Sequence, residues 1–204
     1  MRVLVGCERS GVLRRELLKR GHIAYSCDLE PADDGEKTNH IQYDVLQVMN
    51  SPAYGAWDAA FFFPDCTYLT SAGLHWNKVY LGRIKQTEAA AEFFMECINA
   101  PIDKIVVENP IGCMSTRYRK PDQIIQPYQF GDDASKATCL WLKNLPKLAV
   151  DPALRVLGRW VNGKERWSNQ TDSGQNKLGP SPDRAQKRSE TYPGIAKALA
   201  DLLD

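Results

Sequence analysis

The sequence predicts an α/β domain with a mainly parallel sheet and helices on both faces. Three observations predict it. Short β-branched or apolar runs recur through the first half of the chain, helix-sized amphipathic segments separate them, and turns bearing glycine or acids follow them. Strands separated by helix-length segments form βαβ units, whose right-handed crossovers favour parallel pairing.

Residues 2–5 form the first strand-like run, and residues 6–11, GCERSG, form the turn after it. Residues 12–20 follow as a helix with Leu13, Leu17 and Leu18 on one face and Gly21 as its stop. Residues 23–27 read as a second strand ending on acids, and PADDGEKTNH, residues 31–40, as a polar loop. A third short strand is expected at 41–43. The apolar run 57–63 suits a strand covered on both faces. From Leu81 to Asn99 the pattern is helical, with Ile84, Ala91, Phe94 and Ile98 as its apolar stripe, and residues 104–107 follow as a buried strand. Beyond Pro110 the pattern weakens. Residues 137–142 read as a strand and residues 158–188 as a long loop or small insert rich in Gly, Asn, Ser, Pro and basic residues. Residues 194–203 end the chain as an amphipathic helix. The expected organisation is one domain over 1–204, with an insert region at 111–190 and a terminal helix at 191–204.

Composition narrows the class. With 204 residues, 43% hydrophobic and 25% charged, the chain has the make-up of a globular protein with one substantial core. Its net charge of +1 means that any nucleic-acid surface must come from local clustering. No stretch has the length and apolarity of a membrane span or a signal peptide. The six Cys include no C-x-x-C pair, so they are read as reduced thiols and the location as cytoplasmic. No metal site is expected, because none of the three His lies at ligand spacing from a Cys pair.

The first turn has the right place for a ligand, since open α/β sheets bind ligands at the carboxyl ends of their strands. The frame from Gly6 to Gly11 matches a phosphate loop in glycine spacing, but Val12-Leu13 replace the required Lys-Ser/Thr. The dinucleotide pattern fails for want of its middle glycine, and Glu8 would repel phosphates. A ligand with an amino group and two ribose hydroxyls fits better. Asp28 after the second strand suits the ribose and Asp44 after the third suits an adenine amino group. The alternative is a plain tight turn beside solvated carboxylates.

Two further segments fall on the same edge of the expected sheet: Phe63-Pro64-Asp65-Cys66 after the fourth strand and Glu108-Asn109-Pro110 after the fifth. A thiolate can activate a pyrimidine by adding to carbon 6, and a carboxylic acid can assist by donating to ring nitrogen 3.

These residues resemble the carbon-5 cytosine DNA methyltransferases, and in particular their short phage or prophage relatives. Pro64 and Cys66 stand near the family's Pro-Cys, Ala72-Gly73 follow at the family distance, and Glu108-Asn109 match its Glu-Asn-Val with Pro110 in place of valine. Asp28 and Asp44 match its acids after strands two and three. The resemblance spans residues 1–110. It departs from the family at Asp65, where proline is usual, and in the first turn. The part after Pro110 is short for a target-recognition domain. Gln186-Lys187-Arg188 is similar to the family's Gln-x-Arg motif.

The resemblance implies a Rossmann-like S-adenosylmethionine-dependent methyltransferase fold and methyl transfer to cytosine in DNA. It implies Cys66 as nucleophile and Glu108 as acid, with cofactor contacts from Gly6, Glu8, Gly11, Asp28, Asp44 and Pro64. Substrate contacts are expected from Asn109, Arg184 and Arg188. Basic residues and two tryptophans, Trp160 and Trp167, are interleaved between residues 155 and 188. They suit phosphate contact plus base stacking, or a solvated surface with structural tryptophans. RNA or a free pyrimidine nucleotide remain alternative substrates. A catalytically inactive nucleotide- or nucleic-acid-binding protein remains an alternative class. The target sequence and the oligomeric state are left open.

Overall fold

The computed structural model describes residues 1–181 and 184–204, with side chains for all of these except 185 and 186. The elements in chain order begin with β1 (Arg2–Gly6), α1 (Val12–Lys19), β2 (Ile23–Asp28), β3 (His40–Gln42), α2 (Val45–Asn50) and β4 (Ala59–Phe62). They continue with α3 (Ser71–Leu74), α4 (Arg83–Ile98), β5 (Lys104–Pro110), α5 (Met114–Arg117), β6 (Gln123–Ile125) and β7 (Thr138–Lys143). A hairpin of β8 (Arg159–Val161) and β9 (Lys164–Arg166) precedes α6 (Arg184–Ser189) and α7 (Pro193–Ala200).

The central sheet runs β3-β2-β1-β4-β5-β7-β6. β3, β2, β1, β4 and β5 are mutually parallel, and β7 enters antiparallel between β5 and β6. This is a doubly wound, Rossmann-like α/β fold, with the chain's crossovers reversing direction at β1. Period-two alternation divides the core between the two faces. Leu4, Ala60, Phe62, Ile105, Val107 and Trp141 pack with α2 and α4 on one side. Val3, Val5, Ala59, Phe61, Val106 and Leu140 pack with α1 and α7 on the other. All four residues of β4 are buried, as a strand covered on both faces requires.

Several expectations shift against this frame. The third strand lies one residue earlier than predicted and the fourth is shorter. Trp57 precedes the fourth strand, lying beneath the Arg2 guanidinium at 4.7 Å from the ring. β5 continues through Pro110, so Glu108 and Asn109 lie on the strand rather than after it. Its partner β7 supplies the extra pairing, Glu108 opposite Leu140 and Asn109 opposite Cys139. Helix α4 starts at Arg83 and buries Thr87, Ala91, Phe94, Cys97 and Ile98, leaving Ile84 exposed because it precedes the covered stretch. Leu18 of α1 is likewise partly exposed, and Arg14 is buried instead.

The stretch 158–188 is not one long loop. Asn162 and Gly163 both take positive φ, 50° and 72°, and close the two-residue turn between β8 and β9. Asn-Gly is the residue pair such a turn favours, because its twist matches the flanking strands. Residues 182 and 183 of this stretch lie outside the described residues. Among the described residues, no helix is long and apolar enough to cross a membrane.

Candidate active site

β1 delivers the chain into the first turn, where the backbone bends at Cys7, φ 60°. A non-glycine residue in this region is uncommon and costs about 1–3 kcal/mol, a strain typical of ligand-binding turns. Hydrogen bonds from the Cys7 and Glu8 amides to the Cys27 carbonyl, at 2.7 and 3.3 Å, hold the bend. Gly6 has no room for a Cβ, which would lie 2.6 Å from the Phe62 ring. Gly11 takes φ 69°, a left-handed conformation that favours glycine.

Glu8 is buried by this bend, 4% exposed. Its Oε1 accepts from the Ser10 hydroxyl and, at 3.0 Å, from the Val12 amide, capping α1. Its Oε2 is buried with no hydrogen-bond partner. Burial pushes its pKa up, opposed by the hydrogen bonds from Ser10 and Val12 and by the charge of Arg14. An unpartnered buried carboxylate oxygen is costly, and an ammonium group would satisfy it. The residues therefore fit the amino-acid end of S-adenosylmethionine.

The polar loop 31–40 is anchored over α1. Asp34 pairs with the buried Arg14 guanidinium at 2.5 Å and also with Arg15, while Arg9 pairs with Asp33. Arg14 donates to Ser26 on β2 as well, which joins loop, helix and strand. Asp28 is half-buried at the end of β2, one oxygen accepting the Glu30 amide at 3.0 Å. Asp44 lies two residues past β3 and is exposed. It caps α2, accepting the Leu46 amide at 2.8 Å. That six-residue helix was absent from the sequence reading, although its Asp cap is a recognised start signal.

The second part of the site forms where β4 and β5 emerge side by side. Pro64 is buried, and its carbonyl accepts the Asn109 side-chain amide at 2.8 Å. Asn109, expected at the substrate, is 1% exposed and spends that amide inside the protein, holding the approach to Cys66. Asp65 is exposed and accepts the backbone amide and the hydroxyl of Thr67 at 2.9 and 2.7 Å. Its carboxylate thus stabilises the turn at Cys66, whose carbonyl takes the Leu69 and Thr70 amides, both at 3.0 Å.

Two glycines lock this turn in place. A Cβ on Gly73 would lie 2.5 Å from the Thr67 carbonyl oxygen, and one on Gly112 would fall onto the Leu69 carbonyl. Thr70 bridges to Gly112, and the Cys113 amide donates to the Leu69 carbonyl at 2.9 Å. The Cys66 turn and the exit of β5 are therefore one rigid unit. We expect Gly112→Ala to lower stability by about 1–3 kcal/mol, the range for overpacking, readable as a reduced midpoint in urea. An unchanged midpoint would mean that the two segments can separate.

Cys66 and Glu108 are both half-buried. Burial raises the Cys66 thiol pKa, the carboxylates of Asp65 and Glu108 raise it further, and Lys136 acts in the opposite sense. Burial also raises the Glu108 carboxyl, against the opposing charge of Lys136 and a hydrogen bond from Thr138. Glu108 lines a small cavity with Phe63, Lys136, Thr138, Thr191 and Tyr192. Lys136 and Thr138 line it without any local motif to mark them in the sequence.

The C-terminal segment closes this cavity. Gly194 packs against the Phe130 carbonyl, and its amide donates to Asp132 at 3.0 Å. Arg184 and Arg188 lie on α6, whose last residue, Ser189, also lines the cavity. Arg184 is half-buried with its Nε unpartnered, whereas Arg188 is exposed. The Gln186 side chain lies outside the described residues. Upstream, much of the basic character is used internally. Arg155 pairs with Glu165 and Arg159 with Asp172, and Arg166 donates to the Asp172 carbonyl. Trp167 is buried, stacked on Tyr128 at 4.0 Å, while Trp160 is exposed.

The sheet order defines the chain as an α/β protein of Rossmann-like fold. No protein-family model matches the chain, and no curated protein matches it. Among solved structures it is similar to an Escherichia coli prophage-encoded protein assigned as a DNA modification methyltransferase. The identity is 12% and the TM-score 0.47, over 70% of this chain and 46% of that one. The chain thus spans less than half the length of that structure.

Proposed function

We propose that the chain is an S-adenosylmethionine-dependent methyltransferase acting on carbon 5 of cytosine in DNA. The observation that carries this reading is the interlocking of the Cys66 turn with the segment that leaves β5, the strand bearing Glu108, beside the end of β1. The cofactor's ammonium belongs at Glu8 Oε2, its ribose at Asp28 and its adenine at Asp44, with Gly6, Gly11 and Pro64 shaping the seat. Bound there, S-adenosylmethionine supplies an electrophilic methyl group.

The chain's own residues make the acceptor reactive. The Cys66 thiolate adds to carbon 6 of the cytosine ring while Glu108 donates a proton to ring nitrogen 3, which leaves carbon 5 nucleophilic. After methylation, a solvent base takes the carbon 5 proton as the carbon 6–sulfur bond breaks and releases the thiolate, and ring nitrogen 3 returns its proton to Glu108. The charge of Lys136 favours the thiolate of Cys66 and opposes the effect of burial on Glu108. Asn109 positions the Cys66 approach, and Arg184 and Arg188 are available to phosphates at its rim.

Calorimetry is expected to show S-adenosylmethionine binding to the wild type. Asp28→Ala should weaken it by about 1.5–3 kcal/mol, the range for hydrogen bonds to a charged group. Glu8→Gln should weaken it as well, and less for an analogue lacking the amino group. No binding by the wild type would overturn the assignment. A second reading, binding without catalysis, draws on Asp65, whose charge helps keep the thiol protonated. Methyl transfer measured on DNA, RNA and nucleotide pools separates these readings.

A further inference from the structure

Between Cys66 and Thr87 the chain carries no Asp or Glu, yet it contains His75, Lys78, Arg83 and Lys85. The same stretch exposes aromatic and apolar groups that a folded chain normally covers. Trp76 is 41% exposed, Tyr80 58% and Leu81 fully so. The rings form a continuous run, His75 to Trp76 at 4.5 Å and Trp76 to Tyr80 at 5.5 Å, the latter pair stacked.

This run is built rather than loose. Arg83 donates to the Thr67 carbonyl at 2.9 Å and lies over the Tyr68 ring. Asn77 donates to Thr87 at 2.9 Å, and Thr87 in turn donates to the Tyr68 carbonyl at 3.2 Å. The rings are thereby fastened to the same turn that carries Cys66. The two nearest acids in sequence are engaged, Asp65 with Thr67 and Glu88 with Arg117.

We propose that residues 75–85 form a stacking platform for single-stranded nucleic acid, holding nucleotides next to the one presented to Cys66. Bases of any identity extend the ring ladder at its open ends, and the cationic side chains of this stretch receive the phosphates. A single strand is favoured over a duplex because stacking on side-chain rings requires unstacked bases. The proposal deepens the methyltransferase reading by naming a strand, rather than a free nucleotide, as substrate. It is tested by binding alone.

The experiment measures fluorescence anisotropy of a labelled cytosine-containing 20-nucleotide single strand with the full chain. The wild type should bind it more tightly than the matching duplex. Trp76→Ala and Tyr80→Ala should each weaken binding about 5- to 100-fold, from the loss of base–aromatic stacking, with Trp76→Phe restoring most of it. Neutralising Lys78 and Lys85 together should reduce the slope of log affinity against log salt by about 1.4. Melting temperatures check that the variants remain folded. No binding by the wild type, or affinities unchanged in the ring variants, would overturn the platform. So would sedimentation showing a wild-type dimer that Tyr80→Ala dissociates, since the face would then join two copies. Ring-dependent strand binding without any methyl transfer would leave the platform standing and overturn the enzymatic reading.

Discussion

Cys66→Ser is expected to abolish methyl transfer while leaving S-adenosylmethionine binding nearly intact. The reason is spatial. Glu8 and Asp28 stand at the ends of β1 and β2, whereas Cys66 follows β4 in a turn held by its own hydrogen bonds. Serine is a far weaker nucleophile at its ordinary pKa than a thiolate, so a retained hydroxyl does not replace it. An oligonucleotide carrying cytosine fluorinated at carbon 5 should trap a covalent adduct with the wild type, because the final proton loss is blocked, and none with the variant. The thiol is raised by burial, Asp65 and Glu108. Activity should therefore rise with pH as the thiolate forms, and Asp65→Asn should move that limb to lower pH. Equal transfer by Cys66→Ser and wild type would exclude addition at carbon 6 and favour transfer to an exocyclic nitrogen.

Glu108→Gln should slow transfer by about 10²-fold or more, the usual loss with a positioned acid. It should also stabilise the protein. Burial holds the folded Glu108 pKa above its unfolded value, despite Lys136 and Thr138. The associated stability is fully present below the unfolded pKa of about 4.3 and is lost as pH rises through the folded pKa. Glutamine resembles the protonated acid and never ionises. The variant's melting temperature should therefore exceed the wild type's at pH 8 by more than at pH 4. A wild type that gains stability relative to the variant as pH rises would mean that Lys136 outweighs burial, leaving Glu108 a settled ion pair.

Strand and helix periodicity made much of the sheet legible. β1, α1, β2, β4 and α7 all bury runs whose spacing is written in consecutive residues. The local residue types also marked Gly6 and Gly11, because a tight turn depends on the residue itself. Even so, some readable signals passed unused. Asn162-Gly163 announces the β8–β9 hairpin, and Asp44 announces α2.

The sequence by itself determined the α/β class, the alternation of apolar strands that divides the core in two, and the order in which candidate side chains meet the sheet edge. Only the tertiary structure decided what those side chains do. The antiparallel insertion of β7 brings Lys136 and Thr138 beside Glu108, from a segment with no local motif. The burial of Asn109 against the Pro64 carbonyl ties β5 to the segment that leads to Cys66. The mutual closeness of Gly73 and Gly112 to backbone carbonyls explains why neither position has room for a side chain. Such contacts join residues far apart in the chain. Their distances and burial arise from packing, which leaves no period or spacing in the sequence to be read.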